Sequence, residues 1–260
     1  QLAINEINTG IMCIPQKCLE QWLPNIGNDN AQQEYYLPDV IAMAVTDDIA
    51  INAPSPASLF EIQGVNNRLQ LAELEREFQR EQANRLMVEG ATLADPARID
   101  VRGDVTVSQD VFIDINAVLQ GEVVIGANVS IGPNCVITNA SIAEGTTILA
   151  NSIIEDAVIG KDCNIVPFAR LRPGANLGNA SKVGNFVEIK NAHLGDGSKV
   201  NHLSYVGDAE IGTETNIGAG TITCNYDGAN KHRTEMGDGV FVGSNSTLVA
   251  PLTIENQGFV

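Results

Sequence analysis

Three histidines occur in this chain, His193, His202 and His232, and they bear on two different chemistries. A zinc site needs several His, Cys or acidic ligands converging, commonly at short spacings along the chain. Histidines 9 and 30 residues apart, with no cysteine or acid at matching spacing, give such a site weak support. General-base catalysis asks for less. It needs one imidazole, the side chain that exchanges a proton near neutral pH, within reach of the group it deprotonates. His202, in the string Val200-Asn201-His202-Leu203-Ser204-Tyr205, is the candidate. Upstream lie Arg172 and Lys190, eighteen residues apart, two cations able to hold a phosphate beside such a base. The rival reading is that these are solvated surface charges.

The elements that must position these residues announce themselves by period. Ile159, Ile165, Leu171, Leu177, Val183 and Ile189 fall at unbroken intervals of six, with Cys163, Ala169, Ala175, Ser181 and Val187 each four places on. Ile125-Gly126, Ile131-Gly132 and Ile137 begin the phrase, and Leu194-Gly195, Val200, Val206-Gly207, Ile211-Gly212 and Ile217-Gly218 continue it with one-residue slips. A fixed hexapeptide period is the signature of a parallel β-helix, in which three phrases close a triangular coil. The aliphatic and small residues face inward, and Gly at the second place is expected to relieve the backbone angle at each corner. Residues 103–260 would build about eight coils and a prism of about 40 Å. A β-sandwich would show plain alternation with turns every 8–12 residues and does not fit. On this scaffold Arg172 stacks on Lys190, and His202, at the third place of its phrase, faces outward.

The phrase breaks between Ile217 and Met236, so Gly218 to Lys231 are expected to leave the prism as a loop, where binding residues concentrate. Gly218-Ala219-Gly220 lacks the strand-to-helix context of a phosphate-cradling glycine loop. The net charge of −17 argues against nucleic acid or an anionic membrane as partner. Eight of the fifteen Lys and Arg nevertheless lie within residues 161–233, which suits an anionic small molecule. Five cysteines, Cys13, Cys18, Cys135, Cys163 and Cys224, form no disulfide framework, and Cys135 and Cys163 sit in the inward small-residue slot. No apolar run reaches membrane-spanning length and no signal-peptide pattern is present, which suggests a cytoplasmic protein without membrane insertion. Gln1, and Val260 still in phase with Leu248 and Ile254, suggest a fragment.

Before the repeat the pattern is mixed α and β. Glu6 to Ile14 suggests a strand, Cys18 to Leu23 a short helix, and 39–46 an apolar helix. Asn66 and Asn67 can cap a long helix over about 68–90, with Leu71, Leu74, Phe78 and Leu86 as its apolar stripe.

Several strings resemble one bacterial family. Phe168-Ala-Arg-Leu-Arg-Pro-Gly174, Val183-Gly-Asn-Phe-Val-Glu-Ile-Lys190, Ile217-Gly-Ala-Gly-Thr-Ile-Thr-Cys-Asn-Tyr-Asp-Gly228, Gly64-Val-Asn-Asn-Arg-Leu-Gln-Leu71 and Glu6-Ile-Asn-Thr-Gly10 are similar to the bifunctional UDP-N-acetylglucosamine pyrophosphorylase / glucosamine-1-phosphate N-acetyltransferases. The resemblance covers essentially the whole chain. It implies a partial α/β uridylyltransferase domain over 1–66, a linker helix over 67–90, and a left-handed β-helix over 91–260. The β-helix would assemble as a homotrimer with sites between subunits. His202 matches the general base that deprotonates glucosamine 1-phosphate for attack on acetyl-CoA. Arg172, Lys190, Tyr205 and Asn216 match sugar-phosphate contacts, and Ala219, Asn225, Tyr226, Lys231 and Ser244 match the acetyl-CoA side. Asn8 and Asn66 match the nucleotide-sugar site, Asn66 also a Mg²⁺ ligand. The longer protein would then couple the product with UTP to give UDP-N-acetylglucosamine, a cell-wall precursor. The family's glycine-rich nucleotide motif and magnesium-binding Asp are not found here, so no pyrophosphorylase activity is expected of this chain. The remaining alternatives are another hexapeptide acyltransferase, a zinc hydratase on the same fold, and a structural β-helix without chemistry.

Overall fold

The computed structural model describes residues 8–260. The chain divides into two units, with the division between Glu75 and Arg76. In the first, helices Gln16–Trp22 and Asp39–Thr46 close a small core of Trp22, Ile26, Val40 and Ala44. The Trp22 indole N–H donates to Asp47 Oδ2 at 2.7 Å. The strand expected over 6–14 is not found at Asn8–Ile14, and Glu6 and Ile7 lie outside the described residues. Among the described residues no neighbouring strand pairs with that stretch, and a strand's backbone groups need partners.

The long helix runs Arg68–Glu89 and Asn67 caps it, its Oδ1 accepting the Gln70 N–H at 2.9 Å. Its expected stripe needs correction. Leu71 and Phe78 are exposed, and the buried face is Gln79, Ala83 and Leu86. The spacing i, i+4, i+7 is still helical, but a glutamine occupies the first position. Its amide extends the first coil's hydrogen bonding: Gln79 Nε2 donates to Val101 O at 2.9 Å, and Val101 N–H donates to Gln79 Oε1 at 2.7 Å.

Beyond the helix every strand pairing is parallel, and one sheet path holds nine strands, one per coil, from Ala91–Leu93 to Phe241–Val242. The architecture is a left-handed parallel β-helix; eight of these strands lie within 103–260, as the period suggested, and Ala91–Leu93 adds a coil before them. Successive coils bring Ile113, Ile131, Ile148, Ile165, Val183, Val200, Ile217 and Val242 into one inner column. None is more than 1% exposed.

The corner chemistry also differs from expectation. Second-place glycines such as Gly126, Gly160 and Gly218 do not have positive φ. The left-handed corner residue comes two places later, as at Asn128, Asp162 and Gly220. What the second-place glycines supply is clearance. A Cβ at Gly160 would lie 2.7 Å from the Gly178 carbonyl carbon of the next coil. Nor does all of 218–231 leave the prism. Ile222–Cys224 remains a strand paired with Thr247–Val249, and the excursion is confined to the residues between it and Thr234–Met236.

Candidate functional site

One prism edge carries the histidine. Its left-handed residues begin as Asn116, Asn134 and Asn151, whose amides hydrogen-bond in file at 3.0 and 3.3 Å. Asparagine tolerates this conformation better than other non-glycine residues. The file then changes to Phe168, Phe186 and Leu203, all exposed, with the two rings stacked 5.1 Å apart. His202 immediately precedes Leu203. Its carbonyl oxygen accepts from Gly220 N–H at 3.1 Å and from Ser204 Oγ at 2.8 Å. The backbone is therefore pinned, while the exposed imidazole has no hydrogen-bond or ion-pair partner among the described residues. Ala219 and Ser244 follow along this edge, the Asn245 N–H donating to Ala219 O at 2.7 Å. Asn216 lies on the adjoining face between Lys199 and Phe241, its Oδ1 accepting from Asn201 Nδ2 at 3.4 Å.

Around the corner lies the charged group. Pairing of Arg170 with Glu188 and Leu171 with Ile189 carries Arg172 into register with Lys190, as the eighteen-residue spacing anticipates. Arg172 Nη1 meets Glu188 Oε1 at 2.7 Å, and this bond holds the guanidinium pKa above its ordinary value. The ammonium of Lys231 lies beside that of Lys190. The neighbouring Lys190 cation lowers the Lys231 pKa, against the opposing pull of Asp208. Burial pushes Asp208 up, but hydrogen bonds from Asn191 and Asn225 and the charges of Lys190 and Lys231 outweigh it, so its pKa falls. Asn225 Nδ2 donates to Asp208 Oδ2 and reaches Tyr205 Oη at 3.4 Å. A Cβ at Gly207 would come within 2.6 Å of Tyr205 Cζ, so glycine there lets the phenol lie flat.

The excursion after Cys224 delivers Asn225, Tyr226 and Lys231. It is a closed turn: Tyr226 bridges Lys231, Asp227 Oδ1 accepts from Ala229 and Asn230 N–H at 2.8 and 2.6 Å, and Asp227 Oδ2 meets His232 Nε2 at 2.6 Å. The Asn230 and His232 bonds hold the Asp227 carboxyl far below the usual carboxylate range.

The structure thus gathers Arg172, Lys190, Tyr205, Asn225 and Lys231 on one face, and His202, Ala219 and Ser244 along the edge beside it. Asn8 and Asn66 are exposed in the first unit. Asn66 offers one neutral amide oxygen, which can be one ligand of a Mg²⁺ ion but does not form a site by itself. Among the described residues no group of three or more His, Cys, Asp or Glu could hold a metal, and no helix is long and apolar enough to cross a membrane. Sequence reasoning passed over Glu188, Asp208 and the Asp227–His232 pair. Asn191, Asp208 and Asn225 recur at intervals of seventeen, the coil length, and that signal could have found Asp208.

The likenesses to known proteins run along the entire chain. The bifunctional protein GlmU of Marinobacter nauticus is 60% identical over the whole chain, which covers 57% of that relative. Those of Acinetobacter baumannii and Stutzerimonas stutzeri are 58% and 59% identical, over 100% and 98% of this chain and 57% and 56% of their own length. The chain therefore spans a little over half of these curated relatives. The family model of the GMPPB C-terminal domain matches residues 101–175. Among solved structures, UDP-N-acetylglucosamine acyltransferase from Campylobacter jejuni shares 20% identity over 65% of this chain and 71% of its own. The TM-score is 0.39.

Proposed function

The chain belongs to the family of bifunctional GlmU proteins, and from that premise we propose that its β-helix moves an acetyl group from acetyl-CoA to the amine of glucosamine 1-phosphate. The carrying observation is a partner-free His202 at the edge of a face where Arg172, Lys190 and Lys231 gather. The cations take the phosphate, Tyr205 and Asn216 the sugar, and Ala219, Asn225, Tyr226 and Ser244 the acetyl-CoA. Lys231, by its place beside Lys190, serves the phosphate as well. His202 removes a proton from the ammonium-derived nitrogen as that nitrogen attacks the thioester carbonyl. The tetrahedral intermediate collapses with loss of the coenzyme A thiolate, which takes up the proton that His202 removed and leaves as the thiol, and the amide remains on the sugar.

The edge and the face diverge around a corner, so a site using both is best completed by a second copy. We place that contact at the exposed Phe168–Phe186–Leu203 edge, in keeping with a homotrimer. Residues 1–66 are assigned to a uridylyltransferase domain, 67–90 to a linker and 91–260 to the acetyltransferase, in a cytoplasmic protein. Coupling with UTP to UDP-N-acetylglucosamine would fall to a longer form of the protein.

Coenzyme A release on mixing acetyl-CoA with glucosamine 1-phosphate tests the assignment. His202→Ala is expected to lower turnover at least about a hundredfold while leaving the assembly intact. Near-normal turnover in that variant would refute the general-base role. Silence with glucosamine 1-phosphate but release with another amine would assign the chain to a different hexapeptide acyltransferase.

A further inference from the structure

We propose that Asp208 is a positioning residue of this site: its carboxylate dictates which way the Asn225 amide faces, and its charge sits beside Lys190 and Lys231. The inference rests on the acetyl-transfer reading for its consequence, though not for its geometry. Asp208 sits in the left-handed conformation, φ 48°, where its side chain projects along the stack of coils. Oδ1 accepts from Asn191 Nδ2 at 2.6 Å, and Oδ2 accepts from Asn225 Nδ2. The same amide-to-carboxylate pairing occurs farther along the prism, where Asn139 Nδ2 donates to Asp156 Oδ1 at 3.0 Å. The Asn191 bond is therefore scaffold. The second oxygen of Asp208 is what differs, because it engages the residue that begins the loop.

An ionised carboxylate only accepts hydrogen bonds. Facing one, Asn225 must present its NH₂ group, and its carbonyl oxygen is thereby turned away from Asp208. That leaves an oriented acceptor for an amide N–H of the acyl donor's pantetheine arm. An asparagine at 208 could present either end of its amide, and the orientation of Asn225 would be lost. The ionised form is secure: Lys190 and Lys231 flank Asp208, and Asn191 and Asn225 both donate to it. The charged and titratable groups around it are Lys190, Lys231 and Tyr205, with the Arg172–Glu188 pair beyond.

The same carboxylate offsets the repulsion between two neighbouring ammonium groups. Lys190 depresses the Lys231 pKa and Asp208 raises it. Neutralising Asp208 removes the raising partner, so Lys231 must then lose its proton at lower pH. A residue that braced the coil without its charge reaching Lys231 would not move that titration.

Asp208→Asn is the isosteric test, and asparagine suits a left-handed position. In the whole chain without substrates, the NMR titration midpoint of the Lys231 ε-CH₂ group is expected to move to lower pH in Asp208→Asn. With substrates, the KM for acetyl-CoA should rise about tenfold, the effect of one oriented hydrogen bond, with kcat within about threefold. Because Asp208 acts through Asn225, adding Asp208→Asn to Asn225→Ala should raise that KM by less than about twofold more. An unmoved Lys231 midpoint with unchanged KM overturns the proposal. So does a fall in kcat that tracks a lowered melting temperature, which would mark a general structural role. If the parent chain releases no coenzyme A from glucosamine 1-phosphate, the functional reading fails, while the Lys231 titration still decides whether Asp208 governs the lysine pair.

Discussion

Gly218→Ala tests whether close stacking of coils sets the spacing of the edge proposed to take acetyl-CoA. Gly218 precedes Ala219, and the next coil places Gly243 and Ser244 beside them. A Cβ at 218 would lie 2.6 Å from both the Gly243 carbonyl carbon and the Ser244 nitrogen, and 2.7 Å from Gly243 O. All three are backbone atoms, so no side chain can swing aside. Ordinary contact begins at 3.4 Å, which requires the coils to part locally by roughly 0.8 Å. The Gly218 N–H now donates to Val242 O at 2.8 Å, and that separation would carry the bond out of range. Overpacking and one lost hydrogen bond together cost about 3 kcal/mol. The β-helix should melt roughly 10 °C lower. Parting the coils also widens the Ala219–Ser244 spacing, and a misplacement near 1 Å can cost up to about a hundredfold in reactivity. Gly132→Ala is the matched control: its Cβ would lie 2.9 Å from Ala150 N, at the same place in the phrase but several coils away. Calorimetry and coenzyme A release should show both variants melting lower and only Gly218→Ala raising the KM for acetyl-CoA. Unchanged melting in both would sink the stacking argument, and an equal KM rise in both would sink the link to the edge.

Thr234→Val should stabilise the chain. Thr234 is 0% exposed and its Oγ1 has no hydrogen-bond partner among the described residues, so an isosteric valine removes a buried hydroxyl at a gain of about 1 kcal/mol; a lower melting temperature would contradict this. The turn around Asp227 should resist acid. Hydrogen bonds from Asn230, His232 and Ala229 depress its pKa, so its contribution is fully present above the ordinary carboxyl range and is lost only as pH falls through the depressed value. Hydrogen-exchange protection at Ala229 and Asn230, corrected for intrinsic rate, should hold from pH 7 to about 4. Loss of protection near pH 5 would show that Asp227 does not hold the turn.

The period exposed the inner columns because an aliphatic residue every sixth place is what stacking demands, and Val183 above Ile165 follows directly from it. It misassigned the glycines because clearance and left-handed φ both favour the same residue. Only geometry distinguishes Gly160, which admits a neighbouring coil, from Gly220, which turns a corner. The corner positions of Phe168, Ala180, Phe186 and Leu203 carry no local signal, since nothing in those residue types favours a positive φ. At the site, Arg172 over Lys190 was legible by counting coils. Lys231 beside Lys190 was not: the coil that contains the excursion pairs Asn216 with Phe241, twenty-five residues on, and the count fails there. The helix stripe misled because leucines are good helix formers wherever they lie, whereas burial here selects Gln79 for its two hydrogen bonds to Val101.

The change of residue type along the His202 edge is where fold and proposed function meet. Asparagine at Asn116, Asn134 and Asn151 suits the left-handed conformation and links its amides from coil to coil. Phe168, Phe186 and Leu203 take up the same conformation without that help, each at a cost of order 1 kcal/mol, and leave large apolar surface exposed. Continuing the asparagine file would have been more stable for an isolated prism. The substitution of costly residues occurs in the coils that carry Arg172, Lys190 and His202, and not in those before them. A scaffold whose inner columns fix each corner cannot bend one face toward the next, so His202 and the lysine pair stay on opposite sides of that edge within one chain. An apolar surface on the edge that separates them is accounted for if a second copy covers it and brings the two halves of the site together.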